Sequence, residues 1–316
     1  MKIGISTRGW TAIDCGEEPS FCAVSVKTAV SAGERPQVLA CAELPSGPDD
    51  ATSATLRELL GRMDRRLPVL MTLARSQYRL QIVAEPPVPQ REIEASLRWS
   101  LNAANDAPMD DVNLAWFRIP TEEQLPNRPK QVYAVSVPRS SLDTQLAAWR
   151  QGRVNPTVVD IRETALRNIA AALEQPGEGL ALVCPDSGGV GMVFIHQGSL
   201  YLDRYIEQPM AEVQAADPAL RARLHERIAE QVIRSIDVIA RNYPFMPVTR
   251  VVVAPSPEAL GLQECLAGQL PLTVQPLDLN QVFDLSRVPE LAGTPALQAR
   301  CLVALGAALR SAKVAA

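Results

Sequence analysis

Histidine is nearly absent from this sequence: among 316 residues it occurs only at His196 and His225. Two distant histidines with no cysteine cluster beside them make a poor zinc site. They also leave little material for a histidine-based catalytic triad. Neither a metal ligand nor a catalytic residue is therefore assigned. Long apolar runs are missing as well. No segment approaches the roughly 18 uninterrupted apolar residues of a membrane span, so direct membrane insertion is not expected. The opening MKIGISTRGW has no apolar signal-peptide core, and the expected location is the cytoplasm. Basic charge is not in excess either. The formal net charge is -4, which gives no electrostatic footprint for nucleic acid. The six cysteines, Cys15, Cys22, Cys41, Cys184, Cys265 and Cys301, include no CxxC pair, and most lie in apolar runs. They read as reduced, buried thiols that pack as small hydrophobes.

What is present suits ordinary packed cores: 47% of residues are apolar and 21% are charged. The length fits two domains, or one domain with an insertion. The most informative stretch is GLALVCPDSGGVGMVFIHQGSLYLDRYIE, residues 179–207. Two apolar runs flank Pro185-Asp186-Ser187-Gly188-Gly189, and Gln197-Gly198 turns the chain into a third, alternating run. Strand runs joined through glycine-containing turns predict hairpins. A glycine-rich turn after a buried strand can also cradle phosphate with its backbone N–H groups.

The remaining elements follow from periodicity. Thr11–Cys15, Phe21–Val30 and Gln37–Leu44 predict a β-meander, with a D-x-G spacing at Asp14-Cys15-Gly16. Pro45–Ala54 reads as polar turns and Leu56–Met63 as a short helix. Val69–Ala74 and Arg79–Ala84 read as a strand pair split by Arg75–Tyr78. Ile93, Leu97 and Leu101 fall on one helical face. Strands are predicted at Val112–Ile119 and Gln131–Val137, and Ser140 with Asp143 has capping-box spacing. A brief strand, Val158–Ile161, precedes a helix at Ala165–Leu173. Asp217-Pro218 predicts a helix start running to Asn242. A strand at Arg250–Ala254, a helix at Ala259–Leu266 and a strand at Leu272–Leu277 follow, and Thr294-Pro295 opens a last helix.

In that order the elements resemble the PilM-like proteins of type IV pilus assembly, most closely their MSHA-biogenesis branch. The stretches that carry the likeness are WTAIDCG, RSQYRLQIVAEPPVPQREIEASLRWSL, APMDDVNLAWFRIP, QVYAVSVPRSSLDTQLAAWRQG, TVVDIRETALRNIAAAL and IRSIDVIARNYPFMPVTRVVVAP. The resemblance implies an α/β, actin-like fold: two RNase-H-like halves, with a PilM/FtsA-type subdomain inserted in the first. It places the first half at 1–66, completed by 151–176 and a C-terminal helix 293–316. The inserted subdomain would be 67–150 and the second half 177–292. It further implies a cytoplasmic platform, peripheral to the inner membrane, that binds the tail of a PilN-like bitopic protein and contacts the assembly ATPase. Candidate partner-binding residues in the inserted subdomain are Gln77, Tyr78, Leu80 and Ile82.

Actin-like nucleotide sites use three loops, and here all three depart from the pattern. Asp14 and Gly16 match the first, but Glu17 and Glu18 follow, and two carboxylates there would repel a triphosphate. Lys27 is the candidate for the lysine of that region. In the second loop Cys184 takes the place of an aspartate, Pro185 removes an N–H donor, and Asp186 puts a negative charge where phosphate should lie. The third loop, a glycine pair in the family, reads Ala254-Pro255. The expectation is a scaffold without a cofactor. The alternative is an ATP-binding or ATP-hydrolysing member that holds Mg-ATP with Asp14, Gly16, Lys27, Asp186, Ser187, Gly188 and Gly189.

Overall fold

The structure, a computed structural model, describes residues 9–16, 20–29, 31, 33–45, 49–104, 111–121, 129–256 and 261–310. Glu17 and Glu18 of the first loop lie outside the described residues. So do 257–260 of the helix expected at Ala259–Leu266 and the last six residues of the C-terminal segment.

An antiparallel meander comes first: β1 (Gly9–Asp14), β2 (Ser20–Lys27) and β3 (Gln37–Pro45). All of β1 and all but the last residue of β2 are buried. A strand covered on both faces reads as an unbroken apolar run rather than an alternating one. Helix α1 (Asp49–Gly61) leads to β4 (Val69–Leu73), which runs parallel to β1. Then β5 (Arg79–Ala84), α2 (Ile93–Ala104), β6 (Val112–Ile119) and β7 (Gln131–Pro138) build a separate antiparallel sheet, ordered β5-β7-β6. Helix α3 (Arg139–Gln151) returns the chain to β8 (Val158–Ile161), which pairs with β4 and completes the sheet β3-β2-β1-β4-β8. Helix α4 (Arg162–Leu173) starts directly after β8.

The second half repeats the plan. β9 (Gly179–Pro185), β10 (Gly189–His196) and β11 (Ser199–Glu207) form its meander. Gln197 and Gly198 both have positive φ, 50° and 69°. That is the type I′ geometry that matches hairpin twist, and Glu174 accepts hydrogen bonds from both of their N–H groups. After α5 (Met210–Ala215) comes α6 (Pro218–Asn242). Asp217 caps α6 by accepting from Leu220 N at 2.8 Å, with Pro218 in the first turn. Then β12 (Val248–Val253), α7 (Leu262–Gln269) and β13 (Thr273–Pro276) complete the sheet β11-β10-β9-β12-β13. Two helices close the chain, α8 (Pro289–Gly293) and α9 (Pro295–Ala308).

The two sheets share one strand order, and α4 and α9 lie side by side between them. α9 packs on β1 and β2, and α4 packs on β9 and β10. Their approach is close because residue 306 is glycine: a Cβ there would run into the Ala165 carbonyl. Asn168 Nδ2 ties the crossing by donating to the Gly306 carbonyl at 2.9 Å. Among the described residues, no helix is long and apolar enough to cross a membrane.

Three expectations from the sequence need correction. Val69–Leu73 and Arg79–Ala84 do not pair with each other; β4 goes between β1 and β8, and β5 pairs with β7. Leu70 to Leu73 are all buried, with a strand on each side, and the separate three-stranded sheet starts at Arg79. At its other end, α3 packs on α1, where Trp149, Leu142 and Leu146 join Leu56 and Leu59 in the core of the first half. Finally, α3 starts at Arg139 with Pro138 before it and no side-chain cap, so the Ser140–Asp143 box is not formed, and α1 begins at Asp49 rather than at Leu56.

Candidate functional site

The carboxyl ends of β1 and β9 open onto one cleft between the two halves. Asp14 and Gly16 line it from β1, Asp186 and Ser187 from the β9–β10 turn, and Arg162 from the first residue of α4. Arg75, Tyr205 and the α9 residues Arg300 and Val303 complete the walls. The cavity measures about 50 Å³. That is room for a few waters, since one water needs roughly 10–15 Å³ of such volume. Small-molecule pockets start at about 300 Å³.

The chemistry of the cleft centres on Asp186. Its Oδ1 accepts from Gly188 N at 3.0 Å, from Gly189 N at 2.8 Å and from the Tyr205 hydroxyl at 2.7 Å. Its Oδ2 pairs with the Arg162 guanidinium. The backbone donors of the glycine turn thus already hold a carboxylate, one supplied by the turn itself. Gly189 has a second duty: a Cβ there would collide with the Ile206 carbonyl on β11. Arg162 also donates to the Cys184 carbonyl at 3.3 Å and lies over Gly191, where a Cβ would come within 2.9 Å of Nη2. Burial works against the charge on Arg162. Asp186, with smaller help from Cys184 and Glu163, outweighs it and raises the guanidinium pKa.

A second layer supports this pair. Arg75 sits 4.5 Å over the Tyr205 ring and pairs with Glu163 at 3.3 Å. The Tyr78 hydroxyl donates to Glu163 at 2.5 Å. Burial, then the Glu163 charge, raises the Tyr78 pKa well above its ordinary value, so the phenol stays protonated and keeps donating. On the opposite wall, Asp14 accepts from the Thr72 hydroxyl. Cys184 offers no carboxylate: burial pushes its thiol up to about 12 despite the nearby Arg162. Among the described residues, no three His, Cys, Asp or Glu side chains are grouped to hold a metal ion.

The candidates named from the sequence separate accordingly. Asp14, Gly16, Asp186 and Ser187 meet in the cleft, and Gly188 and Gly189 turn their N–H groups to Asp186. Lys27 does not join them. It pairs opposite Gly9, whereas Asp14 pairs opposite Cys22, so Lys27 lies at the far end of the same strands, about 17 Å away at 3.4 Å per residue. Ala254 N continues the parallel pairing by donating to the Val183 carbonyl at 2.8 Å. Of the partner candidates, Gln77 accepts from Ala74 N, Tyr78 is buried, and Leu80 packs against both main cores. Ile82 alone is exposed, at 38%, on the outer strand β5.

The sequence reading missed Arg162, Arg75 and Tyr205. The available signal was an arginine at a strand-to-helix junction inside VVDIRETAL, beside a turn with an unexplained aspartate. It also missed a groove of about 610 Å³ between the inserted sheet and the first half. One wall is β6, through Ala115, Trp116 and Phe117. The other is β8, through Val159 and Ile161, with Arg167 of α4 beneath. Among the described residues, β6 and β8 are each the outer strand of their sheet, and Val159 is 37% exposed.

No protein-family model matches the chain, and no curated protein matches it in sequence. Solved structures do match. A chain of the PilM-PilN type IV pilus biogenesis complex aligns with a TM-score of 0.73 at 18% identity, covering 97% of this chain and 99% of that one. The cytoplasmic domain of EpsL, an inner-membrane component of the Vibrio cholerae type II secretion system, aligns at 0.47 and 14% identity, covering 94% of each chain. A Bacteroides thetaiotaomicron protein with an actin-like ATPase fold aligns at 0.46 and 10%, covering 93% of this chain and 99% of that one. The fold is actin-like: two α/β halves of the same strand order about a shared helix pair, with a three-stranded unit inserted in the first half.

Proposed function

We propose that this protein is a non-catalytic scaffold of a type IV, MSHA-like pilus machine at the cytoplasmic face of the inner membrane. It binds the cytoplasmic tail of a PilN-like bitopic protein and contacts the assembly ATPase. The groove between β6 and β8 carries this reading. Two outer strands face one trough, and an extended peptide laid along either edge gains main-chain hydrogen bonds while side-chain pockets supply selectivity. The solved complex that the chain resembles in fold pairs PilM with PilN, which supports a peptide of that kind.

The test is a titration of the full chain with a fluorescent peptide of such a tail. Saturable binding is expected. Val159→Asp should weaken it by about tenfold or more, as a charge buried in a docking pocket does, and Lys27→Ala should leave it unchanged. Failure of every neighbouring bitopic tail to bind overturns the reading.

The cleft residues do not fit Mg-ATP in this reading. Asp186 takes the amides a phosphate would need, and Arg162 is committed to Asp186. The second reading, an ATP-binding member, draws on the convergence of Asp14, Gly16, Asp186 and Ser187 at one cleft. A thermal-shift titration with Mg-ATP separates the two, because a ligand of the native state raises Tm by mass action. A saturable rise that Asp186→Ala abolishes supports the second reading.

A further inference from the structure

The six cysteines are scattered along the sequence, yet three converge in the fold. Cys22 on β2 pairs opposite Glu43, and Cys41 on β3 pairs opposite Val24. Cys22 and Cys41 are thus diagonal neighbours on the sheet face that α9 covers. Cys301 of α9 comes down between them. Its Sγ lies 3.4 Å from Cys41 Sγ, and its thiol is also within hydrogen-bond reach of Cys22. A neighbouring ion pair holds this register: Arg300 Nε lies 2.6 Å from Glu43, which also accepts from Ser20 Oγ at 2.5 Å.

The three thiols differ in access. Cys22 and Cys301 are buried, whereas Cys41 is partly exposed on the outer strand of the sheet. Cys41 and Cys301 differ in acidity as well. The hydrogen bond from Cys301 lowers the Cys41 pKa, while contacts with Cys22 and Cys41, together with burial, raise that of Cys301. The thiolate, which is the reactive form, therefore develops on the one thiol that solvent reaches.

We propose that Cys41 and Cys301 form a peroxide-sensitive thiol site, whose oxidation staples β3 to α9 through a disulfide. In the first step the Cys41 thiolate attacks a peroxide oxygen. The O–O bond breaks, one proton is taken up, and Cys41 sulfenic acid and water (or an alcohol) result. In the second step the Cys301 sulfur attacks the Cys41 sulfur. The S–O bond breaks, the thiol proton leaves with the hydroxyl as water, and the S–S bond forms. The two thiols lose two electrons, and the peroxide gains them. A closure from 3.4 Å to the ~2.05 Å of a disulfide is a small displacement. The staple would fix α9, whose Ala299 and Arg300 line the cleft.

The test uses the full chain treated with hydrogen peroxide in slight excess, then unfolded and alkylated. Reactive thiols should fall from six to four, and a non-reducing peptide map should join the Cys41 peptide to the Cys301 peptide. A dithiol reductant should restore all six. In Cys301→Ser, Cys41 should stop at the sulfenic acid and be trapped by dimedone, while Cys265→Ser should behave as the unmodified chain. If Cys301→Ser does not fold, the peptide map of the unmodified chain decides. Six thiols after treatment, a link between any other pair, or Cys41 oxidised without a link would each overturn the proposal.

Discussion

Arg162, the first residue of α4, reaches across the cleft to pair with Asp186 in the turn between β9 and β10. Each side chain is 15% exposed. The pair joins a helix that follows the first sheet to a hairpin of the second, across the cleft between the two halves.

Arg162→Ala leaves the Asp186 carboxylate buried with neutral donors only, and breaking one side of a buried pair costs about 3–5 kcal/mol. Urea unfolding of Arg162→Ala, Asp186→Ala and the double variant should show non-additivity of about 0.5–3 kcal/mol. Additive losses would mean the two residues act separately.

Asp186→Ala also frees the Gly188 and Gly189 N–H groups and the Arg162 guanidinium. Inorganic phosphate should then raise the Tm of this variant more than that of the unmodified chain, because backbone donors and a cation suit an anion. Equal shifts in both proteins would count against Asp186 as the internal anion.

Asp203 on β11 gives the fold a pH dependence. Burial, and then the charge of Glu163, pushes its pKa up to about 6, although the Tyr133 hydroxyl partly offsets this. A carboxyl with a raised folded pKa is most favourable to folding below its unfolded value near 4, and that contribution is lost as pH rises through 6. The loss amounts to about 3 kcal/mol, at 1.36 kcal/mol per unit. Melting curves between pH 4 and 7.5 should show Asp203→Asn flattening this decline, with its advantage over the unmodified chain greatest above pH 6.

Gly306→Ala puts a methyl group against the Ala165 carbonyl at the α4–α9 crossing. Overpacking of this kind costs about 1–3 kcal/mol. The denaturation midpoint should fall accordingly, whereas Gly268→Ala, where nothing lies within 4 Å of an added Cβ, should not destabilise.

The elements were largely legible because their causes are local. Asp217-Pro218 marks the start of α6, Gln197-Gly198 turns β10 into β11, and the buried strands show as apolar runs. What was not legible depends on partners distant in sequence. Nothing in VLMTL says that it pairs with β1 and β8 rather than with the next strand. The same limit hid Arg162 from Asp186, placed Lys27 at the wrong end of its strand, and kept Cys301 apart from Cys41. An aspartate in the glycine turn was visible at Asp186, but the reason its charge is tolerated, two amides, a phenol and a guanidinium, came only with the fold.

The Trp10 indole donates to the Arg310 carbonyl at 3.0 Å, across 300 residues of chain. Since α9 covers β1 and β2, the first sheet emerges from the ribosome long before its covering helix. The segment holding β9 to β13 is continuous and can close on itself in the meantime. During synthesis the N-terminal sheet must wait with an apolar face bare, the interval in which a chain is most exposed to aggregation and most dependent on chaperones. Strands β1 and β2 are thus made before those of the second half and completed after them.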